Sequence, residues 1–130
     1  VCREVAEACS GDSQVLGLDF DLTAGELRHL VAHSSVLVTS RFHAMISGLA
    51  TSTPTVVVGW SHKYKEVLDD FGLSALGLDS SALREPSAIA DIVTNVLASK
   101  DEMSQQISAA LPAVKIRSLR NFSAIAEAAR

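Results

Sequence analysis

The sequence predicts an α/β fold: a Rossmann-like, three-layer arrangement in which helices cover both faces of a parallel sheet. Three observations lead there. Short apolar, β-branched runs at residues 35–39 and 55–58 flank a stretch, 42–50, whose apolar residues recur at helical spacing. Those runs are apolar at successive positions rather than at every second one, as in strands buried on both faces. Strand-like and helix-like segments then keep alternating, which calls for parallel strands joined by right-handed crossovers.

The chain has 130 residues, enough for a single domain, here taken as 1–130 with 101–130 as a helical tail. Hydrophobic residues make up 48% and charged residues 20%, which excludes a disordered or collagen-like chain. A domain of this size buries roughly two-thirds of its unfolded surface, enough for one core. No apolar run approaches the roughly 18–20 residues of a membrane span, and the longest, 55–60, has the length of a buried strand. Eleven basic residues against fifteen acidic ones give a net charge of −4, which argues against nucleic acid as a partner. Cys2 and Cys9 fall on one helix-like stretch, roughly 10 Å apart, too far for a disulfide within that helix. They read as reduced core thiols of a cytoplasmic protein.

Taken in order, residues 1–9 place Val1, Cys2, Val5, Ala6 and Cys9 on one helical face. The chain shows neither an initiator Met nor a signal-peptide layout, so it is expected to be a fragment of a longer protein. Residues 14–17 (Gln-Val-Leu-Gly) read as a short strand, followed by the turn Asp19-Phe20-Asp21. Thr23 precedes Glu26 at capping-box spacing, and a helix is expected from there to about His33. Residues 35–39 are a buried strand, Ser40 is a candidate N-cap, and 42–50 form the next helix. Pro54 introduces the strand 55–58, residues 59–63 form a loop, and a helix then runs to Phe71, stopped by Gly72. A weak strand is expected at 75–78 and a linker-like segment at 79–86. Ser87 would cap a helix through Ala98, and the tail from about 101 to 129 is helical, with Pro112 expected to kink or split it.

In parallel sheets, ligands bind beyond the carboxyl ends of the strands. That rule selects two loops. The first is Thr39-Ser40-Arg41-Phe42-His43, which opens a helix whose unpaired N–H groups suit a carboxylate or phosphate. Arg41 adds a planar fork of donors for the same anion, and His43 in the first helical turn is placed to exchange a proton with it. The second is Gly59-Trp60-Ser61-His62-Lys63-Tyr64-Lys65. If the two preceding strands are neighbours, both loops open on one edge, and Arg41, His43, His62 and Lys63 would converge on one anionic pocket.

Plainer readings stand beside these. Arg41 can be a surface arginine, His43 a hydrogen-bonded core histidine, and Lys63 and Lys65 solvated charges. His29 and His33 have the spacing of a helical metal pair, yet no third ligand is evident, so no metal is expected. Asp19 and Asp21 suit a turn better than a catalytic carboxylate pair. No G-x-G-x-x-G or P-loop follows any strand, and no cofactor is expected.

Residues 34–44 (Ser-Ser-Val-Leu-Val-Thr-Ser-Arg-Phe-His-Ala), continuing through Pro54-Thr55-Val56-Val57-Val58 to Lys63 and Phe71-Gly72-Leu73, resemble the polysaccharide pyruvyl transferase family. Leu119-Arg120-Asn121-Phe122 is similar to a tail often seen near that family's C-terminus. The resemblance covers about 27–122. It implies a two-domain, glycosyltransferase-B-like architecture of which this chain is the C-terminal half, the missing N-terminal domain being its partner. It also implies transfer of the enolpyruvyl skeleton of phosphoenolpyruvate to a sugar of a cell-surface polysaccharide. Arg41 would hold the donor's carboxylate or phosphate and His43 would be the acid–base residue. Ser40, His62 and Lys63 would complete the substrate-binding set. Where family members often have Ser-Tyr-Asp-Pro, this chain has Gly59-Trp60-Ser61-His62, which makes His62 an alternative proton carrier. Two other readings remain: a nucleotide-sugar glycosyltransferase or epimerase of the same architecture, and a non-catalytic anion-binding module. With the active site between two domains, the isolated chain is expected to be inactive.

Overall fold

Thr23 opens the first helix through its pairing with Glu26. The Glu26 N–H donates to the Thr23 hydroxyl oxygen at 3.3 Å, and the Glu26 carboxylate accepts from the Thr23 N–H at 2.8 Å. Two otherwise orphaned N–H groups are thereby satisfied, and helix α1 runs over Ala24–Ala32. The computed structural model describes residues 4, 7–8, 15–18, 20–59 and 62–128. The expected helical face carrying Cys2 and Cys9, together with Gln14, Asp19, Trp60 and Ser61, lies outside them.

Three strands, β1 (Leu37–Thr39), β2 (Thr55–Val58) and β3 (Gly77–Leu78), form a parallel sheet in the order β1-β2-β3. Leu37 pairs with Thr55, Thr39 with Val57, and Val58 with Leu78. The α/β class and the parallel sheet are those the sequence predicts, with one strand fewer among the described residues. Residues 15–18 are not a strand: Val15, Leu16 and Leu18 are exposed, and apolarity alone makes no ladder. Burial on both faces holds for all of β2, the central strand, whereas in β1 the side chain of Val38 is 45% exposed.

Helix α2 (Phe42–Ala50) packs on β1 and β2 through Gly48. Beneath it lies the core, in which Met45, Leu49, Val56, Val57, Leu68, Val96 and Ile107 are at most 2% exposed. α2 ends in a Schellman turn. The Thr53 N–H donates to the Gly48 carbonyl at 2.9 Å and the Ser52 N–H to that of Leu49 at 3.2 Å, with Ser52 at φ 60°. Thr53 then donates its hydroxyl to the Val31 carbonyl at 2.9 Å, tying the end of α1 to the entry of β2.

Helix α3 (His62–Asp69) begins earlier than expected, so His62 and Lys63 lie in its first turn rather than in a loop. Gly72, at φ 68°, closes a second Schellman turn in which the Leu73 N–H reaches the Leu68 carbonyl at 2.9 Å. The segment expected as a linker forms a 3-10 turn over Ser80–Arg84, because the Asp79 side chain accepts from the Ser81 N–H at 2.9 Å. Helix α4 (Pro86–Ala98) has Glu85 rather than Ser87 at its N-cap position, with no side-chain capping bond, and Pro86 takes the first helical position that suits its fixed φ.

Helix α5 (Lys100–Ala128) is continuous for 29 residues, and Pro112 does not split it. The proline removes one N–H and crowds the carbonyl of Ser108, but both residues are exposed and water can take that carbonyl. Gln106 on α5 donates to the Phe71 carbonyl at 2.8 Å and to the Gly72 carbonyl at 3.2 Å, anchoring the helix to the turn after α3. Beyond Val114 the apolar residues Ile116, Leu119, Phe122 and Ile125 are 54–69% exposed.

Candidate functional site

The register brings the carboxyl ends of all three strands to one edge. Thr39, Val58 and Leu78 end their strands there, so Ser40–Arg41, Gly59 and Asp79 all leave the sheet on the same side. The condition set by the sequence is met: the strands before the two candidate loops are neighbours.

Arg41 is the N-cap of α2, displacing Ser40 from that role. The reason is local. The Arg41 N–H is taken by the Thr39 hydroxyl oxygen at 3.0 Å, which holds Arg41 extended at φ −105° and ψ 127° and lets the helix begin at Phe42. The Arg41 carbonyl accepts the first helical bond, from the Met45 N–H at 3.0 Å. Among the described residues no partner holds the guanidinium, and Ser40, Arg41 and His43 are all exposed. His43 lies edge-on to the Phe42 ring, centroids 5.8 Å apart. It is exposed, so it is not a core histidine.

Tyr64 joins the two loops, and sequence reasoning missed it. Its hydroxyl donates to the Ser40 carbonyl at 3.0 Å across 24 positions of sequence, and its ring lies 5.9 Å from that of Phe42. Gly59 makes room for that ring, since a Cβ there would fall 2.6 Å from a ring carbon. The pairing of a glycine with a tyrosine five residues later is the one trace of this in the sequence.

Tyr64 also lines a cleft of about 330 Å³, together with Val57, Gly59, His62, Lys65, Gly77, Leu78 and Asp79. This is small for a ligand pocket. His62 lines it, with Lys65 in the place expected of Lys63; Arg41 and His43 are not among its walls. Nor is the cleft purely cationic. The Ser81 N–H, and then the Ser81 side chain, hold the Asp79 carboxyl below its ordinary value of 3.8, so it is ionised at neutral pH. His29 and His33 stack on α1, ring centroids 4.2 Å apart, and His33 Nδ1 bonds the His29 carbonyl at 2.8 Å. No group of three or more His, Cys, Asp or Glu side chains placed to hold a metal occurs among the described residues. None of the described helices is long and apolar enough to cross a membrane.

Comparison with known proteins finds a likeness that spans this edge of the sheet. The sequence signature described as polysaccharide pyruvyl transferase matches residues 19–62, which include β1, the Ser40–His43 turn, α2 and β2. Over that stretch, about a third of its length, the chain is similar to the polysaccharide pyruvyl transferase family. A curated relative, the amylovoran biosynthesis protein AmsJ of Erwinia amylovora, is 31% identical over 91 residues. That alignment covers 70% of this chain and 22% of the relative, so the chain spans about a fifth of the length of the curated relative it matches. No solved structure matches the chain. Within the family signature fall Ser40, Arg41, His43 and His62, whereas Lys63, Tyr64, Lys65 and Asp79 lie outside it.

Proposed function

We propose that this chain is the C-terminal half of a glycosyltransferase-B-like polysaccharide pyruvyl transferase. The parent protein would act in the cytoplasm, moving the enolpyruvyl skeleton of phosphoenolpyruvate onto a sugar destined for an exopolysaccharide. One observation carries the reading. Arg41 and His43 open a helix directly beyond the carboxyl end of a parallel strand, inside the stretch that matches the family signature, and their side chains are left to solvent. The part of the relative AmsJ in amylovoran biosynthesis supports the acceptor class. The uncovered apolar residues Ile116, Leu119, Phe122 and Ile125 suit burial by the rest of a longer polypeptide.

The chemistry follows from these groups. The guanidinium of Arg41 pairs with the carboxylate or phosphate of the donor, with Lys63 adding positive charge and Ser40 a hydroxyl. His43, protonated, delivers its proton to the methylene carbon of the donor, using the alkene electrons to form the new C–H bond and leaving C2 electrophilic. A sugar hydroxyl attacks C2 and gives up its proton. The C–O bond to phosphate then breaks with its electron pair, releasing phosphate, and a second hydroxyl attacks C2 and loses its proton to close the ketal. His62 is the alternative carrier for one of these protons.

The deciding experiment is transfer from labelled phosphoenolpyruvate to a panel of sugars by the full-length protein and its Arg41→Ala and His43→Ala variants. Transfer that falls at least about a hundredfold in the His43 variant supports the reading, that being the scale for loss of an acid–base residue. Binding of a nucleotide sugar without binding of phosphoenolpyruvate would overturn it. The isolated chain, lacking half of an interdomain site, is expected to show no measurable turnover.

A further inference from the structure

The Ser40–Arg41 peptide unit is held at both of its polar atoms. Its carbonyl oxygen accepts from the Tyr64 hydroxyl at 3.0 Å, and its N–H donates to the Thr39 hydroxyl oxygen at 3.0 Å. The first partner comes from α3, the second from the last residue of β1. A peptide plane fixed at both ends cannot rotate about its neighbouring single bonds without breaking a hydrogen bond. The Cα of Arg41 and the axis on which α2 starts are fixed with it.

That matters because the Arg41 guanidinium has no partner among the described residues. An unpartnered arginine takes its aim from its backbone and its rotamers alone. His43 follows two residues later on the same helix, so an error in the plane would carry to both side chains. The ring of Tyr64 is itself confined, between the backbone of Gly59, where a Cβ would fall 2.6 Å from it, and the Phe42 ring at 5.9 Å. Its hydroxyl therefore reaches the Ser40 carbonyl from a set direction.

We infer that Tyr64 is a positioning residue: with Thr39 it clamps the Ser40–Arg41 peptide and so aims Arg41 and His43 at the substrate. The substrate half of this inference rests on the transferase reading above; the clamp itself does not. Tyr64 touches neither substrate nor reacting atoms in this assignment.

The test compares the full-length wild type with Tyr64→Phe, which keeps the ring and removes only the hydroxyl, and with Thr39→Val and Thr39→Ser. Hydrogen exchange at the Arg41 amide is the readout independent of activity. Loss of the Tyr64 hydroxyl frees one end of the plane, and exchange should quicken by roughly three- to tenfold, the worth of one net hydrogen bond. Thr39→Val should do the same and Thr39→Ser, which keeps the hydroxyl, should not. The Tyr64→Phe/Thr39→Val pair should fall short of the product of the single effects, since both act on one peptide. In the transfer assay Tyr64→Phe should lower kcat by about tenfold, as expected for a misaimed group, with the protein still fully folded at the assay temperature. Unaltered Arg41 exchange in Tyr64→Phe overturns the clamp, whatever happens to activity. Quickened exchange with kcat and KM unchanged overturns the positioning role while leaving the clamp. Failure of the wild type to use phosphoenolpyruvate overturns the transferase reading, and the exchange result still decides the clamp.

Discussion

A Cβ placed on Gly48 would lie 2.2 Å from the hydroxyl oxygen of Thr55 and 3.1 Å from a methyl carbon of Leu37. α2 thus rests on the sheet through a residue that has no side chain, in its last turn, where a helical glycine otherwise costs stability. The contact is what places the first turn of α2, with Arg41 and His43, over the end of β1. Gly48→Ala should destabilise the protein by about 1–3 kcal/mol despite the better helix propensity of alanine, because the core on both sides is closed. Denaturant unfolding measures this. A stabilised Gly48→Ala variant would show that α2 can lift from β2 without cost, and the placement argument would fail with it.

Two helices end in the same Schellman turn with different residues in the left-handed position. Gly72 takes φ 68° freely, whereas Ser52 takes φ 60° with a Cβ in the way. Ser52→Gly should therefore stabilise the protein by about 1 kcal/mol. Gly72→Ala should do the reverse and by more, since its Cβ would also meet the Gln106 amide nitrogen at 2.9 Å, the group that ties α5 to this turn. Paired urea titrations give both signs, and equal effects of the two variants would sink the argument.

The capping box should carry a pH signature. Glu26 is held below its ordinary value of 4.5, first by the Thr23 side-chain hydrogen bond and then by the Thr23 N–H. A carboxyl lowered on folding binds more protons in the unfolded state across that interval. Its contribution is therefore complete above the ordinary value and is lost as the pH falls through the folded one. The stability difference between wild type and Glu26→Gln should shrink steadily as the pH is taken from 6 to 3. Thr23→Ala should cost about 1 kcal/mol at pH 6, the usual worth of an N-cap. A difference independent of pH would show that the carboxylate does not act through its charge.

The elements the sequence reveals are those decided by neighbours in the chain. Thr23 and Glu26 announce α1, Pro54 announces β2, and Gly72 announces the end of α3, since each acts within a few residues of itself. The failures are tertiary. Residues 15–18 are as apolar as a strand but find no ladder among the described residues. Ser40 has the chemistry of an N-cap and loses the position to Arg41 because the Thr39 hydroxyl reaches the Arg41 N–H first. The position of Arg41 and His43 beyond a strand end was visible, because strand-then-helix order sets it. Tyr64 was not, because its part depends on a contact made 24 residues away.

Arg41 and His43 should separate stability from function. The guanidinium has no partner among the described residues, and the imidazole is exposed with only an edge-on contact to Phe42. Truncating either side chain leaves no buried group unpaired and opens no cavity in the core. Arg41→Ala and His43→Ala should accordingly change the unfolding free energy by less than about 0.5 kcal/mol, the range of ordinary surface substitutions. A basic pair kept at a strand end without serving the fold is expected to serve a ligand. The same two variants should lose affinity for phosphoenolpyruvate or its transfer in the full-length protein, Arg41→Ala mainly in binding and His43→Ala mainly in kcat. Calorimetric melting beside the transfer assay tests both halves at once. If either variant unfolds early and its activity falls only in step with its folded fraction, the residue belongs to the scaffold, and the anion would have to be sought at the cleft formed by His62, Lys65 and Asp79.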